Sequence, residues 1–163
     1  MLIHSLLFSV VGCVAVTAAE AGVVRLDFSG ETVGAVSTTM PPLVGQWVVA
    51  ADDKNQVLKV DGQQWKREHV PENLAATAAV LFAAGGVGFA ERIRATPAFP
   101  LAVVPAVTDF RNGTISVRFK PLAGSEDQAA GIAFNLGVKA DYLLVRANAL
   151  EHNIGFFQVV NGS

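Results

Sequence analysis

The strongest folding signal in the chain is the segment 109–163, DFRNGTISVRFKPLAGSEDQAAGIAFNLGVKADYLLVRANALEHNIGFFQVVNGS. Apolar and polar residues alternate along four stretches of this segment, at 110–120, 129–136, 142–148 and 154–160. A period of two is typical of half-buried β-strands. The connections between the stretches are short and rich in turn residues, and short connections require neighbouring strands to run antiparallel. The segment therefore predicts an antiparallel β-meander.

The residues before the meander predict further strands and one helix. Residues 23–28 alternate like a strand, and the stretches 46–50 and 56–60 flank a turn-forming Asp-Asp-Lys-Asn sequence, which predicts a hairpin. An apolar run with proline before it and glycine after it predicts one short helix near 72–84. The glycines that follow do not match a nucleotide-binding loop, because Glu91 stands where the third glycine belongs. They predict a flexible connector instead.

The N-terminal residues have the pattern of an export signal. An apolar run at 2–16 is followed by small residues, and such a run is too short to cross a bilayer comfortably. We expect residues 1–21 to be a signal peptide and residues 22–163 to form one domain with no membrane span after cleavage. The domain would be secreted, or located in the periplasm or cell envelope. Cys13, the only cysteine, follows Val-Val-Gly as in a lipobox, so a lipid anchor at Cys13 is the alternative to simple cleavage.

Three strings in the meander resemble a known family. They are GTISVRFK at 113–120, DQAAGIAFN at 127–135 and DYLLVRANALEHN at 141–153. They are similar to exported bacterial domains of the concanavalin A-like lectin/glucanase superfamily, close to the 3-keto-disaccharide hydrolase (DUF1080-type) domains that are also labelled family 16 glycoside hydrolase-like. The resemblance implies an all-β fold, an antiparallel β-sandwich of the jelly-roll type. Family members continue past the Asn-Gly turn with further strands, so we expect a partial, C-terminally truncated sandwich.

Alternation along the strands places five polar side chains on one face of the predicted sheet. They are Arg118, Asn135, Tyr142, Arg146 and Asn148. Amides, a guanidinium fork and an aromatic ring suit the recognition of sugar hydroxyls and sugar rings. In the family that the chain resembles, the concave sheet face is where sugars lie. The alternative is that this is only the solvated side of an antiparallel sheet.

The sequence favours a binding module over an enzyme. The paired-carboxylate pattern of glucanases, Glu-x-Asp-x-x-Glu, does not occur, and Asp127 and Glu151 are only weak catalytic candidates. We therefore predict an exported, non-catalytic carbohydrate-binding or interaction module. The alternative that the resemblance implies is a glycoside hydrolase-like enzyme that acts on glycosides or 3-keto-glycosides.

Other ligands have little support in the sequence. The net charge of −2 gives no field that would attract nucleic acid, so carbohydrate is the expected partner. No metal site or cofactor is predicted, because Pro71 interrupts the Glu68-His69 to Glu72 spacing that could hold zinc. Ca²⁺ held by loop oxygens such as those of Asp127 and Glu151 is the alternative.

Overall fold

The computed structural model describes residues 22–60, 74–95, 99–125 and 127–162. The predicted signal peptide at 1–21, its Cys13 and the stretch around His69 lie outside the described residues. Within the described ranges the strands form antiparallel sheets of two, two and three strands. Two short helices separate the early strands from the later ones along the chain. The predicted antiparallel, all-β class is confirmed at this coarse level.

The predicted hairpin before the helices is present. Strand β2 (Trp47–Asp52) pairs antiparallel with β3 (Asn55–Val60), and Asp52 lies opposite Asn55. The turn between them places Asp53 at a φ of 53°, a left-handed conformation that aspartate tolerates better than most residues. Local turn chemistry and alternation together were sufficient to predict this hairpin.

Three of the four predicted meander strands are confirmed within two residues of their bounds. They are β5 (Ala129–Phe134), β6 (Tyr142–Asn148) and β7 (Asn153–Val159), with β6 in the centre of the sheet. Every pairing in this sheet is antiparallel. The short connections therefore predicted the topology correctly.

Two other strand predictions are wrong. Residues 23–28 and 110–120 alternate like strands, but within the described ranges neither stretch pairs with another strand. The later stretch is solvent-exposed along its whole length, and the ammonium of Lys120 at its end lies 2.8 Å from the carboxylate of Asp52. This contact holds the end of the stretch at the β2–β3 turn. An alternating pattern indicates a propensity for extended structure. A strand also needs a second strand to hydrogen-bond with, and a local pattern does not specify that partner.

The predicted helix is half of a helical hairpin. Helix α1 (Leu74–Phe82) is followed by a 3₁₀ turn (Ala83–Gly85) and by helix α2 (Gly86–Ala95), so the predicted flexible glycine connector is wrong. Ala83 has a φ of 48°, which ends α1. A Cβ on Gly86 would lie 2.6 Å from the backbone of Ala78, so the glycine is what lets α2 fold back against α1.

The hydrophobic core lies around this helical hairpin and not inside the meander. Strand β1 (Pro42–Val44) pairs with β4 (Leu101–Ala102) and packs against α1. The rings of Phe82 and Phe89 pack with centroids 4.8 Å apart. The buried members of this core come from β1, both helices and the β5–β6 connection: Leu43, Val44, Leu74, Ala78, Phe89, Ala90, Ile93 and Ala140.

The apolar side of the meander is more open than the sequence predicts. Val145, Phe156 and Ile154 share that side by the strand register, and they are 37%, 65% and 77% exposed. Alternation is typical of half-buried strands, but at these three positions the apolar side is open to solvent. Strand β1, one of the described elements, packs against α1.

One described segment meets a length-and-composition test for a membrane-spanning helix. Leu74–Ala95 has 22 residues and contains an 18-residue window with a mean hydropathy of 1.6. It consists of the two arms α1 and α2, which are about 14 Å and 15 Å long at 1.5 Å per residue. Neither arm approaches the hydrocarbon thickness of a bilayer, about 30 Å. The test is also met by signal sequences and by core helices of proteins that do not enter membranes.

Candidate functional site

Arg146 lies at the centre of the polar face of the meander, between two glycines. It is paired with Gly131 on β5 and with Gly155 on β7. Directly paired residues of antiparallel strands project to the same side, so neither neighbour places a side chain beside the arginine. Across the two neighbouring strands, the arginine is therefore bordered by backbone and not by the side chains of paired residues.

The guanidinium of Arg146 is oriented by an aromatic ring and a carboxylate. Its Cζ lies 5.3 Å from the ring centroid of Phe157, within the range of a cation–π interaction. Its Nη2 donates to Oε2 of Glu151 over 3.3 Å, longer than the 2.7–2.9 Å usual for a charge-assisted bond. The arginine and glutamate side chains are 28% and 49% exposed. The pair is held in place but is loose enough for a ligand oxygen to compete with the carboxylate.

Phe157 is itself positioned by a glycine. A Cβ on Gly155 would lie 2.5 Å from Cε2 and Cζ of Phe157, so the ring lies over the glycine backbone. The ring remains 42% exposed. We define the Arg146 site as Arg146, Glu151 and Phe157 together with the two flanking glycines. Within the described residues, the buried Nε of Arg146 has no hydrogen-bond partner.

Tyr142 lies on the same face, at the start of β6. It is paired with Val159 and is half-buried. Burial raises the pKa of its phenol above the ordinary value of 10.0, because the charged phenolate would lose solvation. The tyrosine therefore presents a neutral hydroxyl to this face at neutral pH.

Asn148 is on the predicted face but acts as a structural residue. It is 2% exposed, and its Nδ2 donates to Oδ1 of Asp127 over 2.6 Å. Its Oδ1 accepts from the backbone N–H of Leu150 over 3.1 Å and from that of Gln128 over 3.4 Å. These bonds leave it little capacity for a ligand. Asn148 and Asp127 fasten the loop before β5 to the turn after β6.

Two predicted ligand residues are not on the sheet face. Arg118 lies in the exposed, unpaired stretch described above, so the strand that would have aligned it with Arg146 is absent there. Asn135 follows the end of β5 with a φ of 57° and begins the β5–β6 turn. Of the five predicted residues, Tyr142, Arg146 and Asn148 share the face, and only the first two remain candidates for ligand contact.

The sequence analysis missed Phe157 and the two glycines. The register of β6 and β7 pairs Arg146 with Gly155, and two residues further on Leu144 pairs with Phe157. A hairpin built from the short 149–152 connection would have given this register. Strand pairing, and not composition, is therefore the signal that could have found the aromatic ring.

The weak catalytic candidates have other contacts, and they do not form a metal centre. Asp127 accepts from Asn148, whereas Glu151 accepts from Arg146 and, over 3.0 Å, from Nδ2 of Asn153. Among the described residues no three His, Cys, Asp or Glu side chains are grouped so that they could hold a metal ion. This geometry does not support the alternative of a Ca²⁺ ion held by Asp127 and Glu151.

A shallow apolar cavity of about 260 Å³ is lined by one side of α1 and by two prolines, and it shares no residue with the Arg146 site. Its lining consists of Pro41, Ala76, Thr77, Val80, Leu81 and Pro105. Such a lining offers few groups for a sugar, which needs hydrogen-bond partners for its hydroxyls. The meander face is therefore the better candidate for a polar ligand.

Comparisons of the chain with known proteins add no support to the family resemblance described in the sequence analysis. A scan against protein-family models found no match, and searches of curated proteins and of solved structures found no significant match.

Proposed function

We propose that this chain is an exported, non-catalytic carbohydrate-binding module and that the Arg146 site contacts the sugar. The observation that supports this proposal is the guanidinium of Arg146, stacked on the exposed ring of Phe157 and flanked by Gly131 and Gly155. No other group of described residues combines an exposed aromatic ring with an oriented guanidinium and a carboxylate in this way.

The chemistry of a sugar suits this arrangement. A pyranose has an apolar C–H face, which packs on an aromatic ring, and an edge of hydroxyls that both donate and accept. Arg146 supplies donors, Glu151 supplies acceptors, and the hydroxyl of Tyr142 supplies both. Gly131 places no side chain beside Arg146 on the β5 side, and on the β7 side the Phe157 ring over Gly155 supplies the apolar surface.

The fold and location belong to the same proposal. A concanavalin A-like jelly roll would place the β5–β6–β7 sheet in a larger sandwich, with the polar side as the sugar-contacting side. The antiparallel meander supports this, since it is a common unit of such folds. An apolar N-terminal stretch followed by small residues supports export to the periplasm, cell envelope or medium.

The competing hypothesis is a glycoside-processing enzyme, and it has less support. Hydrolysis by two carboxylates needs one of them to donate a proton and the other to act as base or nucleophile. Asp127 is engaged by the amide of Asn148, and Glu151 is engaged by Arg146 and Asn153. Neither carboxylate stands in the apolar setting that usually produces a general acid.

The proposal is tested by glycan-array screening of the whole chain, followed by calorimetry with the best ligand. Arg146→Ala and Phe157→Ala should each weaken binding about tenfold or more, since each removes one recognition element. Arg111→Ala is the matched control, because Arg111 is an exposed arginine that pairs with Asp109 and belongs to no strand of the sheet. Its affinity should match that of the unmodified chain.

Three results would contradict the proposal. The first is that no glycan binds. The second is that Arg146→Ala binds as tightly as the unmodified chain. The third is release of reducing sugar from glycosides or 3-keto-glycosides that is lost in Asp127→Asn or Glu151→Gln, which would favour the enzyme.

A further inference from the structure

The turn of the helical hairpin presents an uncharged apolar surface to solvent. Val80 and Val87 are 79% and 63% exposed, and the adjoining Ala83 and Ala84 are also exposed. We call these four residues the hairpin tip. No Asp, Glu, Lys or Arg occurs between positions 74 and 90. Large exposed aliphatic side chains in one uncharged stretch are unusual for a surface that faces only water.

Packing inside the protein does not account for this apolar stretch. Only 28% of the most apolar window of Leu74–Ala95 is buried, whereas a core helix of the same hydropathy would be mostly buried. Few residues of the two helices are buried. They include Leu74 and Ala78 on α1 and Phe89 and Ile93 on α2, which lie on the sides of the helices that face the core. Most of the remaining apolar residues of the hairpin are exposed, among them Val80 and Val87.

Neighbouring elements extend the apolar surface. A Cβ on Gly85 would lie 2.9 Å from Cγ1 of Val138, so the β5–β6 turn lies against the end of the hairpin. Val138 is itself 47% exposed. The shallow apolar cavity on α1 adjoins the same surface, because Val80 is part of both. Three elements thus contribute to one apolar patch.

Basic residues border this patch. Arg92 and Arg94 lie in the last turn of α2, and the exposed Lys139 follows Val138 in the β5–β6 turn. Arg92 also donates to Oδ1 of Asn161 over 3.2 Å. At 1.5 Å per residue, the two arginines lie about 8–10 Å along α2 from Val87. Glu91 and Asp141 offset part of this positive charge, so the aliphatic side chains would provide most of the affinity for an apolar phase.

We propose that the hairpin tip inserts into the surface of a lipid bilayer with anionic headgroups. An uncharged apolar end with basic residues about 8–10 Å behind it matches the depth at which interfacial elements lie, about 5–10 Å into the headgroup and acyl boundary. Both arms are too short to span the bilayer, so the hairpin lies in the interface. This surface is separate from the Arg146 site and does not depend on sugar binding.

The test uses an environment-sensitive NBD fluorophore attached at the hairpin tip of the whole chain. Cys13 is replaced by serine and Val87 by cysteine, which provides a single labelling site. Vesicles of phosphatidylethanolamine and phosphatidylglycerol should shift the emission to the blue and raise its intensity. A site-specific probe separates insertion of the hairpin from any binding through the apolar N-terminal stretch.

The matched control carries the fluorophore at position 33. Val33 is 51% exposed and lies in an irregular stretch far from the hairpin in sequence, so its probe should not respond to vesicles. Adding Val80→Asp to the Val87-labelled chain should weaken the response about tenfold, since it puts a charge where an apolar side chain must be buried. Circular dichroism checks that this exposed substitution preserves the fold.

The proposal is overturned if the probe at position 87 gives no blue shift with these vesicles, or if Val80→Asp leaves the response unchanged. It is also overturned if the blue shift occurs in buffer alone and rises with protein concentration, because a second copy would then be the partner. A response of the same size with neutral phosphatidylcholine vesicles would overturn the part assigned to anionic headgroups.

Discussion

Asn148 joins two loops through one side chain. Its amide donates to Asp127 and accepts from the backbone of Leu150 and Gln128, and the side chain is almost completely buried. The position was predicted to bind ligand because an asparagine on a polar sheet face suits hydroxyl recognition. Side-chain identity alone could not separate that role from a structural one, because the same amide chemistry serves both.

Substitution of Asn148 by alanine should destabilise the fold. We expect a loss of about 1–3 kcal/mol in the free energy of unfolding, because buried polar partners would be left without hydrogen bonds. Asn153→Ala is the matched control in the same hairpin, since Asn153 is exposed, and it should change stability by less than about 0.5 kcal/mol. Urea denaturation measures both variants. Equal midpoints for Asn148→Ala and the unmodified chain would show that these bonds contribute nothing.

Gly131 shows how much a single position can depend on tertiary structure. A Cβ there would collide with the carbonyl oxygen of Val145 on the adjacent strand. The sequence indicated a strand at this position but not the close backbone approach, since an isolated glycine in a strand has several explanations. Arg146 has no paired side chain beside it because of this glycine and Gly155, and neither glycine could be assigned a role before the register was known.

At the scale of elements, the loop that precedes β1 is organised around one carboxylate. Glu31 accepts from Oγ of Ser37 over 2.9 Å and from the backbone N–H groups of Thr38 and Thr39 over 3.1 Å and 3.3 Å. Its bond from the hydroxyl of Thr39 lowers the pKa of Glu31 below the ordinary value of 4.5, and Ser37 and the backbone bonds act in the same direction. The loop should therefore respond to acid.

The direction of the pH dependence follows from the lowered pKa. The carboxylate of Glu31 stabilises the loop fully above pH 4.5, and this contribution is lost as the pH falls through the lower pKa of the folded state. The backbone amides of Thr38 and Thr39 should shift together in NMR spectra over that acidic range. Glu31→Gln should abolish this titration, whereas Glu91→Gln at an exposed helical position should leave it intact. Amide shifts that titrate unchanged in Glu31→Gln would assign the transition to another group.

The strands that could be predicted are those whose partners are close in sequence. The β2–β3 hairpin and β5, β6 and β7 pair with their chain neighbours, so alternation and turn residues sufficed. The 110–120 stretch alternates equally well, but its exposed Ile115, Val117 and Phe119 pair with no other strand in the described part of the chain. Helix α2 was missed because glycine at both positions 86 and 88 argues against a helix when packing is unknown. Its formation depends on the contact between Gly86 and α1.

On the scale of the whole molecule, most of the buried hydrophobic residues belong to one core, and the β2–β3 hairpin has a buried residue outside that core. The main core contains Phe89, and it includes Ala140 of the β5–β6 connection, with Leu136 packed against it. The β2–β3 hairpin has its own buried residue, Val49, which is not a member of that core. Val49 accepts from the backbone N–H of Gly34 and donates to the carbonyl of Ala35, and the indole of Trp47 donates to the carbonyl of Val44 over 2.9 Å. These bonds join the hairpin to the segments on either side of β1.

Substitution of Phe89 by alanine should therefore affect the two parts of the molecule differently. Removing this fully buried ring should cost about 3–5 kcal/mol. Amide hydrogen exchange should accelerate strongly in α1 and β6, which share or adjoin the core, and much less in β2 and β3. Phe110→Ala is the matched control, since Phe110 lies at the surface, and it should leave both groups of amides protected. Equal acceleration in β3 and β6 would contradict the division, because it would show that one cooperative unit unfolds through Phe89.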